Sequence, residues 1–110
     1  MASAANKNKK QDRTTRKLEA ILREHFLPRR PGAQLDVYRY NSASIRIRVI
    51  DLEYASKDLT ERDDDIWEVF KKYVDRDTVS QISVILLLAP DETISSAMNR
   101  DFENPTPSRL

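Results

Sequence analysis

Apolar residues near the start of the chain recur with a helical period. Leu18, Ile21, Leu22 and Phe26 stand at i, i+3, i+4 and i+8 in TTRKLEAILREHF, a spacing that lines one face of a helix. Asp12 or one of the threonines is placed to cap its start, and Pro28 to end it. The period then changes. QLDVYRY (34–40) and SIRIRVID (44–51) alternate apolar with polar residues and are rich in β-branched side chains, which predicts two strands. A helical stripe returns at Ile66, Val69, Phe70 and Tyr73 in TERDDDIWEVFKKYV. Thr60 is its expected cap, and the acids at its start with Lys71 and Lys72 near its end suit the helix dipole. TVSQISVILLLA (78–89) reads as a third strand, apolar on both faces as a covered strand is. Ile94, Ala97, Met98 and Phe102 allow a last short helix.

The alternation also selects a hairpin register. A two-residue turn pairing Tyr40 with Ala43 would set Arg46 and Arg48 among the core residues Leu35 and Val37. A three-residue loop, Asn41-Ser42-Ala43, pairs Tyr40 with Ser44 and places Leu35, Val37, Ile45, Ile47 and Val49 on one face. Asp36 then faces Arg48 as a cross-strand ion pair, and Tyr38 faces Arg46 as a cation–π pair worth ~0.5–1 kcal/mol. A single helix-length connection between the second and third strands predicts a right-handed crossover and parallel pairing. The expected fold is one small α+β domain, α-β-β-α-β-(α), with a three-stranded mixed sheet and the helices mainly on one face. Residues 12–102 form that domain, between a disordered basic arm (1–11) and a disordered tail (103–110). Unless the terminal helix covers it, the other sheet face is open and displays Tyr38, Tyr40, Arg46 and Arg48 beside Ile50, Ile85 and Leu87.

Composition narrows the function classes. The chain has 110 residues, enough for one core. At 39% hydrophobic and 34% charged residues it reads as soluble and globular. It contains no cysteine and one histidine, so no thiolate nucleophile or sulfur-held metal is expected. Its longest apolar run, ISVILLLA, is far shorter than the ~20 residues that span a bilayer. The basic start lacks a following apolar segment, so no secretory signal is expected and the cytoplasm is the expected location. His25, beside Phe26 at the end of a helix, reads as a packed residue. Asp63, Asp64 and Asp65 diverge by about 100° each on a helix and do not converge on one ion. No phosphate-binding glycine loop is present. These readings predict a protein that is not an enzyme, with no cofactor and no evident small-molecule substrate.

Charge is unevenly distributed. Through Arg48 there are twelve Lys/Arg against four Asp/Glu, a balance of +8; from Val49 on there are seven against fourteen, a balance of −7, and the whole chain is +1. Such polarity fits a steered partner or two copies meeting plus to minus. Partial cancellation between the halves in three dimensions is the plainer alternative.

The order of elements and the stretch SIRIRVIDLEYASKDLTERDDDIWEVF resemble the BolA family, whose fold is similar to type II KH domains. An alternating strand, a short aromatic-containing loop (LEYASKDL) and a helix opening at Arg62 match that family's signature region, and the PDE after the last strand resembles its ending. The likeness covers roughly residues 14–92 by pattern. It implies the fold and not the family's chemistry. Asp63 and Asp64 stand where the family has a histidine and a second arginine, so the shared iron–sulfur cluster is not implied. The G-x-x-G clamp of KH domains is also missing, since Gly32 is the one glycine and lies elsewhere.

Two functions remain. The first is a small interaction or adaptor module that binds protein or self-associates. The second is an RNA- or DNA-associated module. The candidate binding residues are Arg16, Lys17, Arg23, Arg29 and Arg30 in the basic half, Tyr38, Tyr40, Arg46 and Arg48 on the sheet, and Trp67, an aromatic of the kind that anchors partners.

Overall fold

In the computed structural model, which describes residues 9–108, Asp12 opens the first helix. Its carboxylate accepts from the Thr15 amide while Thr15 Oγ1 accepts from the Asp12 amide, a reciprocal cap on α1 (Arg13–His25). Pro28 lies in the single 3-10 turn that follows, Leu27–Arg29. Gly32, at φ +103°, supplies the left-handed residue before the first strand.

The strands β1 (Gln34–Asn41) and β2 (Ser44–Ile50) pair antiparallel with Asp36 opposite Arg48 and Tyr38 opposite Arg46. The turn itself differs from the expected three-residue loop. Asn41 pairs with Ser44 and the register shifts between Arg39 and Asn41, so Tyr40 is bulged over a two-residue connection. The Asn41 carbonyl side chain accepts from the Ala43 amide and closes that tighter turn. The bulge restores the phase that a two-residue turn alone would lose.

After β2 a 3-10 segment, Leu52–Ser56, leads to α2 (Leu59–Tyr73). Asp58, not Thr60, caps α2, because Asp58 and Glu61 satisfy each other's amides reciprocally. The third strand is also shorter than expected. Asp75 accepts from the Thr78 amide and starts α3 (Arg76–Gln81), leaving β3 as Ile82–Leu88. β3 lies parallel to β2 in the order β1-β2-β3. The last helical stretch is two pieces, α4 (Glu92–Ser95) and α5 (Ala97–Glu103), since Ser96 caps the second of them.

Both main helices cover one face of this mixed sheet. Leu18, Leu22 and Phe26 of α1 and Ile66, Val69 and Phe70 of α2 are buried against Leu35, Val37, Ile45, Ile47, Val49 and Leu87. Each such side chain contributes about 1.5–3 kcal/mol on full burial. On the second face Tyr38, Leu86 and Phe102 form a smaller cluster with Tyr40, Val84 and Leu88 packed on it. That corrects the expected placing of Ile85 and Leu87 beside the tyrosines. β3 is apolar on both faces, so its alternation gives no phase, and pairing of Val84 with Arg46 and Leu86 with Arg48 decides it.

The ends depart from expectation too. Lys10 exchanges two backbone hydrogen bonds with Arg39 at 3.1 and 2.7 Å, and the Gln11 side chain donates to the Val37 carbonyl, so residues 9–11 line the outer edge of β1. Residues 104–108 run beside the hairpin, where Pro105 is buried, Tyr40 donates to the Thr106 carbonyl and Asn41 donates to Ser108 Oγ. Backbone pairing at Lys10 and side-chain hydrogen bonds to Thr106 and Ser108 need no apolar periodicity, so the sequence pattern carries no sign of them. Residues 1–8 and 109–110 of the expected arm and tail lie outside the described residues. Among the described residues no helix is long and apolar enough to cross a membrane.

Arg62 braces the crossover. Its buried guanidinium donates to the carbonyls of Tyr54, Lys57 and Leu87 and pairs with Glu92 at 2.7 Å. Glu92 in turn accepts from the Ala89 amide. The hydrogen bond from Arg62 holds the Glu92 carboxyl below the usual glutamate range. Glu92 therefore stabilises the fold fully above the ordinary glutamate pKa of about 4.3 and loses that contribution as pH falls through its lower folded value. The stability gap between the wild type and Glu92→Gln is expected to narrow as the medium is acidified below about pH 4.3. Thermal melts showing an unchanged gap at neutral and acid pH would rule this linkage out.

Tyr54, beneath Arg62, is fully buried and its hydroxyl has no partner among the described residues. Burial pushes that phenol up to about 12. Removing the hydroxyl relieves an unpaired group, so Tyr54→Phe is expected to be neutral or to stabilise by up to about 1 kcal/mol. A loss above about 1 kcal/mol in urea unfolding would mean that the hydroxyl is satisfied in solution.

Candidate functional site

Alternation along the hairpin sends Tyr38, Arg46 and Arg48 to the face away from α1 and α2, and the bulge at Tyr40 keeps that ring with them. The terminal segment covers this face. Arg48 is 3% exposed, with its guanidinium bonded to Asp36 at 2.8 Å, Asn99 at 2.8 Å and Glu103 at 2.7 Å, and set 4.6 Å from the Phe102 ring centre. The expected Asp36–Arg48 pair is thus joined by two partners from α5. The Tyr38 ring, also buried, lies 4.8 Å from Phe102 at 60°, and its hydroxyl donates to the Phe102 carbonyl.

Arg46 does not stack on Tyr38 as expected. Phe102 holds that ring, so Arg46 lies 3.8 Å over the Tyr40 ring instead, donates to the Tyr38 hydroxyl at 3.2 Å and pairs with Asp101 at 3.1 Å. Lys9 approaches from the chain's other end, 3.4 Å from Glu103 and 5.7 Å over the Tyr38 ring. Burial pushes the Tyr38 phenol up, against the pull of the Arg46 hydrogen bond and charge. Burial also pushes the Glu103 carboxyl up, but the Arg48 hydrogen bond and the positive charges of Arg48 and Lys9 outweigh it and hold it low. The result is a cationic and aromatic face whose present occupants are Asp101, Phe102 and Glu103.

The other candidates lie apart from this face. Arg16, Lys17 and Arg23 are exposed on the outer side of α1 with Arg13, and Arg23 bonds Glu19 at 3.0 Å. Arg30 is internal. It is 8% exposed, pairs with Asp51 at 2.8 Å and Asp65 at 2.5 Å, and lies between the rings of Phe26 and Tyr54. Arg29 is exposed and lines a cleft of about 290 Å³ between the ends of α1 and α2. There His25 stacks on Tyr73 at 3.6 Å between ring centres, as a packed residue, and the lining mixes Lys57 and Lys72 with Glu53 and Glu68. Trp67 is half-buried and meets Phe70 edge-on at 5.0 Å, so it packs on the core.

The sequence reading missed the occupants of the sheet face. Lys9, Asn99, Asp101 and Glu103 stand far from the strands in the chain; the placement of α5 brings the last three there, and the pairing of Lys10 with Arg39 brings Lys9. Their one sequence signal is that two acids flank the last apolar residue of the helical pattern, Phe102. No family model matches the chain, no curated protein matches it and no solved structure matches it.

The two sets of arginines are expected to respond differently to substitution. Arg48→Ala leaves the Asp36 carboxylate and Asn99 amide without their partner and is expected to cost about 3 kcal/mol. Arg16→Ala, at an exposed position, is expected to stay within about 0.5 kcal/mol. Equal unfolding midpoints for the two variants in urea would contradict the burial of Arg48.

Proposed function

We propose that the chain is a small non-enzymatic interaction module that docks an anionic partner on the outer side of α1. One observation carries this reading. Among the described residues, Arg13, Arg16 and Lys17 are exposed and make no ion pair, whereas Arg30 and the strand arginines Arg39, Arg46 and Arg48 are held by carboxylates within the fold. Cations that no internal carboxylate holds leave a positive stripe at helical spacing. The matching surface within the same molecule is α2, where Glu61, Asp63, Asp64 and Glu68 are exposed and make no ion pair among the described residues. An acidic protein, or α2 of a second copy, supplies the charge that α1 lacks. The distant likeness to the BolA family supports this as an architecture for a binding protein and supplies no chemistry to it.

A second reading, association with RNA or DNA, is favoured by the tyrosines and arginines gathered on one sheet face. Bases stack on rings while cations hold phosphate. The acidic side of α2 opposes a long nucleic-acid track, which limits this reading to a short segment.

Reversal of Arg13, Arg16 and Lys17 to glutamate is expected to leave the unfolding midpoint unchanged, because all three side chains are exposed. Retention on a heparin column and self-association by sedimentation are both expected to fall. Both are expected to weaken with added salt in the unaltered protein and to lose that dependence in the reversed form. Identical elution and sedimentation for the two forms would refute a role for α1.

A further inference from the structure

We propose that the sheet face of Tyr38, Tyr40, Arg46 and Arg48 is a site for single-stranded nucleic acid which the chain's own C-terminal segment occupies. In this arrangement Asp101 and Glu103 stand in for two backbone phosphates and Phe102 for the base between them. The inference rests on the second reading above and gives it a place and a mode of control.

The geometry is that of a mimic. Three consecutive residues present carboxylate, ring and carboxylate to a surface that offers cation, phenol and cation. Asp101 pairs with Arg46 at 3.1 Å and Glu103 with Arg48 at 2.7 Å, while Phe102 lies against Tyr38 at 4.8 Å. Single-strand platforms likewise set a ring against each base with arginine or lysine on the flanking phosphates, although Phe102 is tilted at 60° to Tyr38 where a base would stack. Lys9 adds a third cation beside Glu103, and Tyr40 with Arg46 on its face adds a second ring. Without the two carboxylates, Asp36 is the acid that remains in contact with Arg48. An inorganic anion meets the cations but not the rings, and a duplex hides the base faces. A single strand meets both.

The cover is built to leave. α5 has seven residues, and Phe102 is its one large apolar side chain buried on the sheet, while Met98 points outward. Its two carboxylates are about half exposed, 48% at Asp101 and 47% at Glu103, so water already reaches the acidic side of each pair although Arg46 and Arg48 are largely covered. α5 follows the last strand, so its release breaks no strand pairing and leaves α1 and α2 on their own face. A site occupied in this way binds with its intrinsic affinity reduced by the fraction of molecules that are open.

The test uses the full chain, its Asp101→Ala/Glu103→Ala variant and a Tyr40→Ala version of that variant. Fluorescence anisotropy would read binding to a labelled oligothymidylate, with duplex DNA and an acidic peptide containing phenylalanine as controls. The double variant is expected to bind oligothymidylate at least about tenfold more tightly than the unaltered chain, and Tyr40→Ala is expected to reverse most of that gain. Hydrogen exchange on the unaltered chain supplies a readout that needs no variant. Saturating oligothymidylate is expected to deprotect residues 97–103. Binding with α5 still protected would leave the nucleic-acid reading standing and overturn the occlusion. No binding by either form would overturn both. Equal gains for the acidic peptide would show that the face takes a protein segment in place of nucleic acid, and would overturn the proposal.

Discussion

A guanidinium buried in the middle strand sets the terms for one side of this protein. Arg48 cannot turn toward the helices, because hairpin register gives that face to Ile47 and Val49. It cannot be left alone either, since a buried charge without partners is among the most costly features a fold can hold. Asp36 across the strand supplies one partner, and Asn99 and Glu103 on α5 supply the rest. The terminal helix is drawn to the second face by this demand as much as by the packing of Phe102 on Tyr38 and Leu86.

Two other buried arginines tie neighbouring segments to the ends of β2 and β3 in the same way. Arg30 joins the loop after α1 to Asp51 at the end of β2 and to Asp65 on α2. Arg62 gathers the carbonyls of Tyr54, Lys57 and Leu87 and ties them to Glu92. Planar guanidinium groups suit such positions, because each reaches several acceptors at once and lies flat on a ring. Tyr54 is that ring for both, with Arg30 at 5.0 Å and Arg62 at 5.3 Å.

The charge asymmetry of the chain acquires a structural meaning from these pairs. Arg30 with Asp51 and Asp65, Arg46 with Asp101, and Arg48 and Lys9 with Glu103 all join the basic first part of the chain to the acidic second part. Part of the opposition between the halves is thus a device for closing the fold. The part that is not internal lies on the outer sides of α1 and α2.

Much of the architecture was legible in the residues alone. Period and β-branching marked α1, α2 and the hairpin, and the demand that Leu35 and Val37 share a face with Ile45 and Ile47 settled the register, because a slip by one residue exposes the whole set. Local rivals defeated the finer readings: Asp58 capped α2 ahead of Thr60, and Asp75 started a helix that takes in residues 78–81 of the expected strand. Of the candidate site, the residues that share the sheet face were visible, since strand alternation is a local rule. Their availability was not. Whether Tyr38 and Arg48 meet water, a ligand or α5 depends on contacts across more than fifty positions of chain, such as Arg48 with Asn99 and Tyr38 with Phe102. The sequence by itself determined which side chains share a face. Only the tertiary structure decided what covers them, because no local period encodes where a seven-residue helix docks once a buried charge requires its partners.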